Sequence, residues 1–305
     1  MNSNGKNFRK KGDVSMRPIK DLLVEEFWSI AYRKADDNDY AFINKNKVFS
    51  AVKVNERYWY ADPFLFEHKE KLYMFVEAFD NIDEKGKIAC MVFNGKTFSE
   101  PEIVLEEAFH LSYPYVYEEN GEIFMMPETS ADGCIQIYKA VSFPYKWEKH
   151  KVLVRIENAV DTVKLENKLI TSVVTDSNEK RVDVDVYDTD GNLLQKQLQK
   201  NSQQARGAGK IFSVGDDLIR PTQDSTGGIY GLGIRFFKLL NNYGKLEEKE
   251  LYSLTTKEFS VAGYRSVFGV HTYARACGIE VLDFKSYRLN LKRNFWILKR
   301  KFFKE

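Results

Sequence analysis

Residues 61–79 read ADPFLFEHKEKLYMFVEAF, and residues 113–130 read YPYVYEENGEIFMMPETS. Laid one under the other, Pro63 meets Pro114 and Glu77 meets Glu128, both at an offset of 51 residues. Each segment runs strand, polar turn, strand. FLF and KLYMFVE flank Glu67-His68-Lys69-Glu70, while YVY and EIFMMPE flank Glu118-Glu119-Asn120-Gly121. Asn-Gly at such a junction signals a hairpin, because both residues tolerate the left-handed backbone that a two-residue turn between twisted strands demands.

Weaker copies follow. VDTVKL (160–165) turns at Glu166-Asn167-Lys168 into LITSVVT, and GAGKIF (207–212) turns at Gly215-Asp216-Asp217 into LIRPTQD. A last copy lies at FGVHTY (268–273), leading into IEVLDF. Taking Leu72, Ile123, Leu169 and Leu218 as equivalent starts of second strands gives steps of 51, 46 and 49 residues. A period near 50 means one supersecondary unit per repeat. Further strand-like runs at 87–93, 135–140 and 182–187 bring each unit to about four strands, the content of a propeller blade. The expectation is an all-β chain: a five-bladed β-propeller over residues 18–286, with a short disordered N-terminus (1–17) and a basic amphipathic C-terminal helix (287–305). A β-sandwich has no reason to repeat at blade length. Residues 19–31 read as a short helix or an entry strand.

Composition agrees with this frame. The 305 residues are 43% hydrophobic and 14% aromatic, enough for a large core and for rings that stack on sugar faces. A net charge of +2 gives no reason to expect nucleic acid. Cys90, Cys134 and Cys277 lack metal-ligand spacing and read as reduced core thiols. His68, His110, His150 and His271 are scattered along the chain, so neither a metal nor a cofactor is expected. Without an apolar leader or an 18-residue apolar run, the expected location is cytoplasmic. The tail YRLNLKRNFWILKRKFFKE (287–305) fits either a basic helix on the inner face of an anionic membrane or one packed across the propeller.

The repeat register also locates a site. In a propeller, entry positions of the innermost strands converge at one end of the axis. Asp62, Tyr113-Pro114, Asp161 and Arg206–Gly209 should therefore face one funnel, with Glu77, Glu128 and Gln223 or Asp224 from the second strands nearby. Crowded carboxylates suit glycosyl chemistry, where one acts as base or nucleophile and another as acid. Arg206 and Arg220 could hold a sugar carboxylate or a nucleotide diphosphate in bidentate fashion. Asp62 also suits a turn cap, Arg220 a buried ion pair, and His271 a hydrogen-bonded core residue.

Tyr60-Ala61-Asp62-Pro63 before a hairpin resembles the opening blade of five-bladed glycoside hydrolases, notably family 43, and that resemblance implies Asp62 as general base. A longer series is similar to the N-terminal propeller domain of glucosamine inositolphosphorylceramide transferases and their stand-alone bacterial relatives. It comprises WYADPFLFEHKEKLYMFVEAF, HLSYPYVYEENGEIFMMPETS, FPYKW, AVDTV, RGAGKIFSVGDDLIRPTQDS with Tyr230-Gly231, and GVHTY, spanning roughly residues 25–285. It implies a carbohydrate-active or carbohydrate-binding propeller in surface-polysaccharide biosynthesis. The chain departs from the hydrolases where Tyr113 replaces a second Asp and where their later general-acid Glu motif has no clear copy. The sequence therefore assigns Asp62, Glu128 and Asp161 to catalysis, and Tyr60, Glu77, Tyr113, Arg206, Arg220, Gln223, Asp224 and His271 to substrate. The expected ligand is a sugar, glycan or nucleotide sugar. The alternative is a non-catalytic module that docks a glycan or a partner glycosyltransferase.

Overall fold

The computed structural model describes residues 24–35, 40, 47–290 and 292. The first strands are β1 (Val24–Lys34) and β2 (Lys47–Ala51). Blade 1 follows as β3 (Tyr58–His68), β4 (Lys71–Asp80), β5 (Lys85–Val92) and β6 (Glu102–Leu105). Blade 2 is β7 (Ser112–Glu119), β8 (Glu122–Glu128), β9 (Ile135–Ser142) and β10 (Lys146–Val154). Blade 3 is β11 (Ala159–Leu165), β12 (Lys168–Asp176), β13 (Arg181–Asp188) and β14 (Leu193–Gln195). Blade 4 is β15 (Phe212–Val214), β16 (Asp217–Asp224), β17 (Gly233–Asn242) and β18 (Lys245–Thr255). In each of these sheets the strands lie in chain order. The chain is thus a five-bladed all-β propeller.

The last blade is built from both ends of the chain. Its order is β20 (Tyr273–Ala276), β21 (Ile279–Leu289), β1, β2 and β19 (Phe259–Val261), with β19 parallel to β2. β1 and β21 pair without interruption from Val24↔Leu289 to Lys34↔Ile279. The segment read as a short helix or an entry strand is therefore a strand from Val24 onward. β21 also runs to Leu289, past the expected boundary at residue 286. The expected disordered N-terminus, and the C-terminal helix apart from its first residues, lie outside the described residues. Among the described residues no helix is long and apolar enough to cross a membrane.

Side chains alternate between the two faces of each blade, and both faces are covered by neighbouring blades. On β4, Leu72, Met74, Val76 and Ala78 join Ile30, Ala274 and Val281 in the core shared with the closing blade. Tyr73 and Phe75 point the other way, to Val116, Met125, Tyr138 and Trp147 of blade 2. Two buried faces explain why KLYMFVEAF reads as a nearly continuous apolar run.

The first hairpin of every blade turns through the same two-residue position, at 69–70, 120–121, 166–167, 215–216 and 277–278. Positive φ angles mark it at Lys69 (49°), Glu70 (59°), Asn120 (53°), Gly121 (77°), Cys277 (51°) and Gly278 (69°). This place in a turn corrects the reading of Cys277 as a core thiol. It is exposed and donates to Glu67 Oε2 at 3.1 Å, whereas Cys90 and Cys134 are buried.

Lys69-Glu70 occupies left-handed backbone with two ordinary side chains, which costs about 1–2 kcal/mol per residue relative to the right-handed region. Replacing the pair by Asn-Gly, as blade 2 has it, should raise the urea midpoint by the equivalent of about 1 kcal/mol with an unchanged m-value. An unchanged or lower midpoint would contradict the shared turn geometry.

Candidate functional site

The inner strands of blades 1, 2 and 3 break register at one equivalent place. Pairing jumps between Ala61 and Phe64, between Ser112 and Tyr115, and between Val160 and Val163. The first residue of each bulge is left-handed: Asp62 (φ 51°), Tyr113 (49°) and Asp161 (51°). A bulge re-aims a side chain out of the regular alternation. Here it sends these three residues to the axis at one end of the propeller. All are buried.

Polar bonds then stitch the blades together around the axis. The Tyr113 N–H donates to Asp62 Oδ2 at 3.2 Å, and Thr272 Oγ1 donates to Asp62 Oδ1 at 2.8 Å. Asp283 on β21 accepts from the backbone N–H of Asp62 (3.2 Å), His271 (2.9 Å) and Thr272 (2.9 Å). The Tyr113 hydroxyl crosses to blade 4, donating to Gly209 O at 3.1 Å and accepting from Gly209 N–H at 2.8 Å. Gly207 passes so close that a Cβ there would sit 2.7 Å from the Tyr113 oxygen. The Gly207 N–H donates to Ser172 Oγ of blade 3 at 3.2 Å.

Above this girdle lie the ionisable groups. Arg206 straddles Asp161, with Nε at 2.5 Å from Oδ2 and Nη2 at 3.3 Å from Oδ1, and stands 3.6 Å from Glu128 Oε2. Burial pushes Asp62 up to about 7, with the Glu77, Asp283 and Asp161 carboxylates adding to the rise and His271 opposing it. Burial likewise pushes Glu128 up to about 7, helped by Asp161 and Asp62 and opposed by Arg206 and the Ser130 hydroxyl. The Ser130 hydroxyl donates to Glu128 Oε1 at 2.9 Å, while the buried Oε2 has no hydrogen-bond donor.

Two histidines complete the set. His271 Nδ1 lies 2.5 Å from Asp283 Oδ2. Burial disfavours its charged form, but Asp283 and Asp62 outweigh that, and its pKa is raised. Asp62, His271 and Asp283 place ligand atoms within 4.8 Å of one another. The Asp283 oxygens already accept from three backbone N–H groups, which makes the cluster a hydrogen-bonded brace rather than an open metal cradle. His110 accepts from the Gly86 N–H on Nδ1 at 2.9 Å, which turns Nε2 to Glu77 Oε1 at 3.2 Å. Burial opposes its charged form too, yet Glu77, Glu128 and Asp62 together raise its pKa.

Aromatic rings wall the opening. Trp28 stacks on His271 with centroids 4.1 Å apart and planes 12° apart. Tyr230 stands edge-on to both, at 6.1 Å from Trp28 and 5.0 Å from His271, and Arg206 lies 5.8 Å from its centroid. Tyr230 is 39% exposed, so part of its ring faces solvent. Gly231 makes room for Trp28, whose ring edge would meet a Cβ at 2.7 Å.

The structure therefore brings Asp62, Glu77, Tyr113, Glu128, Asp161, Arg206 and His271 to one end of the axis, and adds Trp28, His110, Tyr230, Thr272 and Asp283. Other residues assigned to substrate stand elsewhere. Tyr60 is buried in the core between the closing blade and blade 1. Arg220 is 2% exposed, paired with Glu248 at 2.7 Å and donating to Ala205 O at 2.7 Å, so its donors are already spent. Asp224 pairs with Arg235 at 2.9 Å and caps Thr226. Gln223 is buried beside the site, donating to Gly207 O at 2.8 Å. In sequence, His110, Tyr230, Thr272 and Asp283 lay within or beside the quoted segments HLSYPY, Tyr230-Gly231, GVHTY and IEVLDF without a site role. Trp28 carried no such signal, because β1, from the other end of the chain, delivers it.

Residues 33–270 match the family model described as glucosamine inositolphosphorylceramide transferase 1, N-terminal. The Arabidopsis thaliana protein named glucosamine inositolphosphorylceramide transferase 1 is 32% identical over 227 residues, covering 70% of this chain and 29% of that protein. Its Oryza sativa subsp. japonica namesake is 28% identical over 211 residues, covering 63% and 27%. The chain thus spans less than a third of the length of these relatives. Among solved structures, the α-L-arabinofuranosidase PaAbf62A from Podospora anserina, crystallised with cellotriose, superposes with a TM-score of 0.55 at 9% identity, covering 79% of this chain and 96% of that one. The catalytic domain of the Coprinopsis cinerea GH62 α-L-arabinofuranosidase gives 0.51 at 8% identity, covering 84% and 97%. At such identities the likeness is one of fold.

Two expectations follow from the site. Asp62 and Glu128 rise from 3.8 and 4.5 to about 7, so the folded chain holds protons that the unfolded chain releases. Their contribution to stability is full below about pH 4 and is lost as pH rises through about 7. The raised histidines act in the same direction. Melting temperature should fall between about pH 5 and 8, and Glu128→Gln should make the fall shallower; equal slopes would refute the assignment. Separately, Arg220→Met alone should cost about 3–5 kcal/mol by leaving Glu248 unpaired, whereas Arg220→Met with Glu248→Leu should recover most of that loss in urea unfolding.

Proposed function

The chain belongs to the glucosamine inositolphosphorylceramide transferase 1 N-terminal family, and on that premise we propose that its funnel is a carbohydrate site. There Asp62 and Glu128 act on a glycosidic linkage, by transfer or hydrolysis. One observation carries this reading: the carboxyl groups of Asp62 and Glu128, on adjacent blades, come together at one end of the axis beside Arg206 and an aromatic wall, where burial pushes each up to about 7. Glycosyl chemistry needs one group to give a proton and another to take one at the same pH.

Glu128 suits the acid. Its Oε2 has no hydrogen-bond donor and faces the site beside Arg206. Asp62 suits the base, anchored by Thr272 and Tyr113. Arg206 pairs with Asp161, and the Asp161 carboxylate adds to the upward shift of Asp62 and Glu128. Asp161 is thus a modulator. Tyr230 offers its exposed ring to a pyranose, backed by the buried, stacked pair Trp28 and His271.

A second reading, a non-catalytic glycan-binding module, is favoured by the fact that both Asp62 oxygens already accept hydrogen bonds. The wider setting we propose is synthesis of a bacterial surface polysaccharide at the cytoplasmic face of the membrane, beside a partner glycosyltransferase. The transferase names of the relatives support the glycosyl-transfer part of this setting.

With a sugar that the protein turns over, Asp62→Asn and Glu128→Gln should each lower kcat by about 100-fold or more. The wild-type rate should fall as Asp62 protonates below about 7 and as Glu128 deprotonates above about 7, giving a narrow bell. Glycan binding without turnover, unaffected by either change, would select the binding module instead.

A further inference from the structure

We infer that the funnel takes a glycan segment rich in hydrogen-bond donors and free of anionic groups, held through Glu77 Oε1 and Glu128 Oε2, and that it rejects phosphate-bearing ligands. This deepens the carbohydrate reading above and rests on it.

Two buried acceptors lie at this end of the axis. Glu77 Oε1 and Glu128 Oε2 are shielded from solvent, and neither receives a hydrogen bond. Buried polar atoms are nearly always paired, and leaving one unpaired is destabilising, more so when it is charged. The two occupy the same place in successive blades, since Glu77 pairs with Ala61 just before the first bulge and Glu128 pairs with Ser112 just before the second. The repeat therefore sets two unfilled acceptors on neighbouring blades at one end of the axis.

The cations near them do not fill the need. His110 Nε2 approaches Glu77 Oε1 to 3.2 Å without the alignment of a hydrogen bond. Arg206 stands 3.6 Å from Glu128 Oε2, with Nε and Nη2 given to Asp161. Hydroxyl or ammonium groups of a ligand would supply the missing donors.

An anion finds the reverse. Asp62, Glu77, Glu128, Asp161 and Asp283 crowd the site. Arg206 and Arg220, the two residues the sequence offered for a diphosphate or a sugar carboxylate, are bound to Asp161 and Glu248. His271 Nδ1 is turned to Asp283. Above about pH 7, where Asp62 and Glu128 are ionised, a phosphate would meet a negative field with its natural partners already taken. The nucleotide end of a sugar donor therefore binds outside this funnel.

The test is titration calorimetry at pH 8, where Glu128 is ionised and its Oε2 can only accept, with four probes: chitotriose, its N-acetylated counterpart, trigalacturonate and UDP-N-acetylglucosamine. Chitotriose or its acetylated form should bind at least roughly tenfold more tightly than either anionic probe. Glu77→Gln and Glu128→Gln should each weaken that binding by roughly tenfold, while Arg220→Met with Glu248→Leu leaves it unchanged. If either Gln variant fails to show a cooperative melt, Glu77→Asp or Glu128→Asp takes its place, since each keeps the charge but withdraws the oxygens. Tighter binding of trigalacturonate or UDP-N-acetylglucosamine would overturn the inference. So would unchanged affinity in both variants, or binding of none of the four. Binding as expected with no turnover would sink the catalytic proposal and leave this inference standing.

Discussion

The pairing of β1 with β21 is the constraint on which the rest depends. A propeller is a ring, and this ring is closed by main-chain hydrogen bonds between the two ends of the described chain, from Val24↔Leu289 to Lys34↔Ile279. Closure also builds the funnel. β1 brings Trp28, which stacks on His271, and β21 brings Asp283, which accepts the Asp62 N–H. Opening this seam would remove the aromatic wall and the anchor of blade 1 together. Stability and site geometry are therefore one property of the seam.

Strain and hydrogen bonding are matched at the axis. Asp62, Tyr113 and Asp161 hold left-handed backbone at bulges that shift the register by one step. Each conformation costs about 1–2 kcal/mol and persists only where the surroundings over-determine it. The girdle through Thr272, Asp283, Gly209 and Arg206 does so, with partners from other blades in every case. The side chains that face the funnel are thus positioned before any ligand arrives, which is how a binding or catalytic site avoids reorganising on contact.

The same crowding sorts the charges. Arg206 is committed to Asp161 and so leaves Asp62 and Glu128 as the carboxyl groups that burial pushes up to about 7. Arg220, also an arginine of the fourth repeat, is drawn instead to Glu248 on the outer strand of its own blade. A buried arginine must be paired, and the partner within reach decides whether it serves a site or a core.

The repeat of about 50 residues determined by itself that this chain is a five-bladed propeller, because a blade is a local unit whose strand and turn pattern is written contiguously. It also determined that Asp62, Tyr113 and Asp161 are equivalent, since equivalent positions in a ring converge. Glu77 and Glu128 were legible for the same reason. Tertiary structure alone decided that Trp28 joins the site, that Tyr60 sits in the core between blades, and that Arg206 and Arg220 part company. Each of those outcomes turns on which distant strand lies alongside, and no local pattern encodes a neighbour that the closing of the ring supplies.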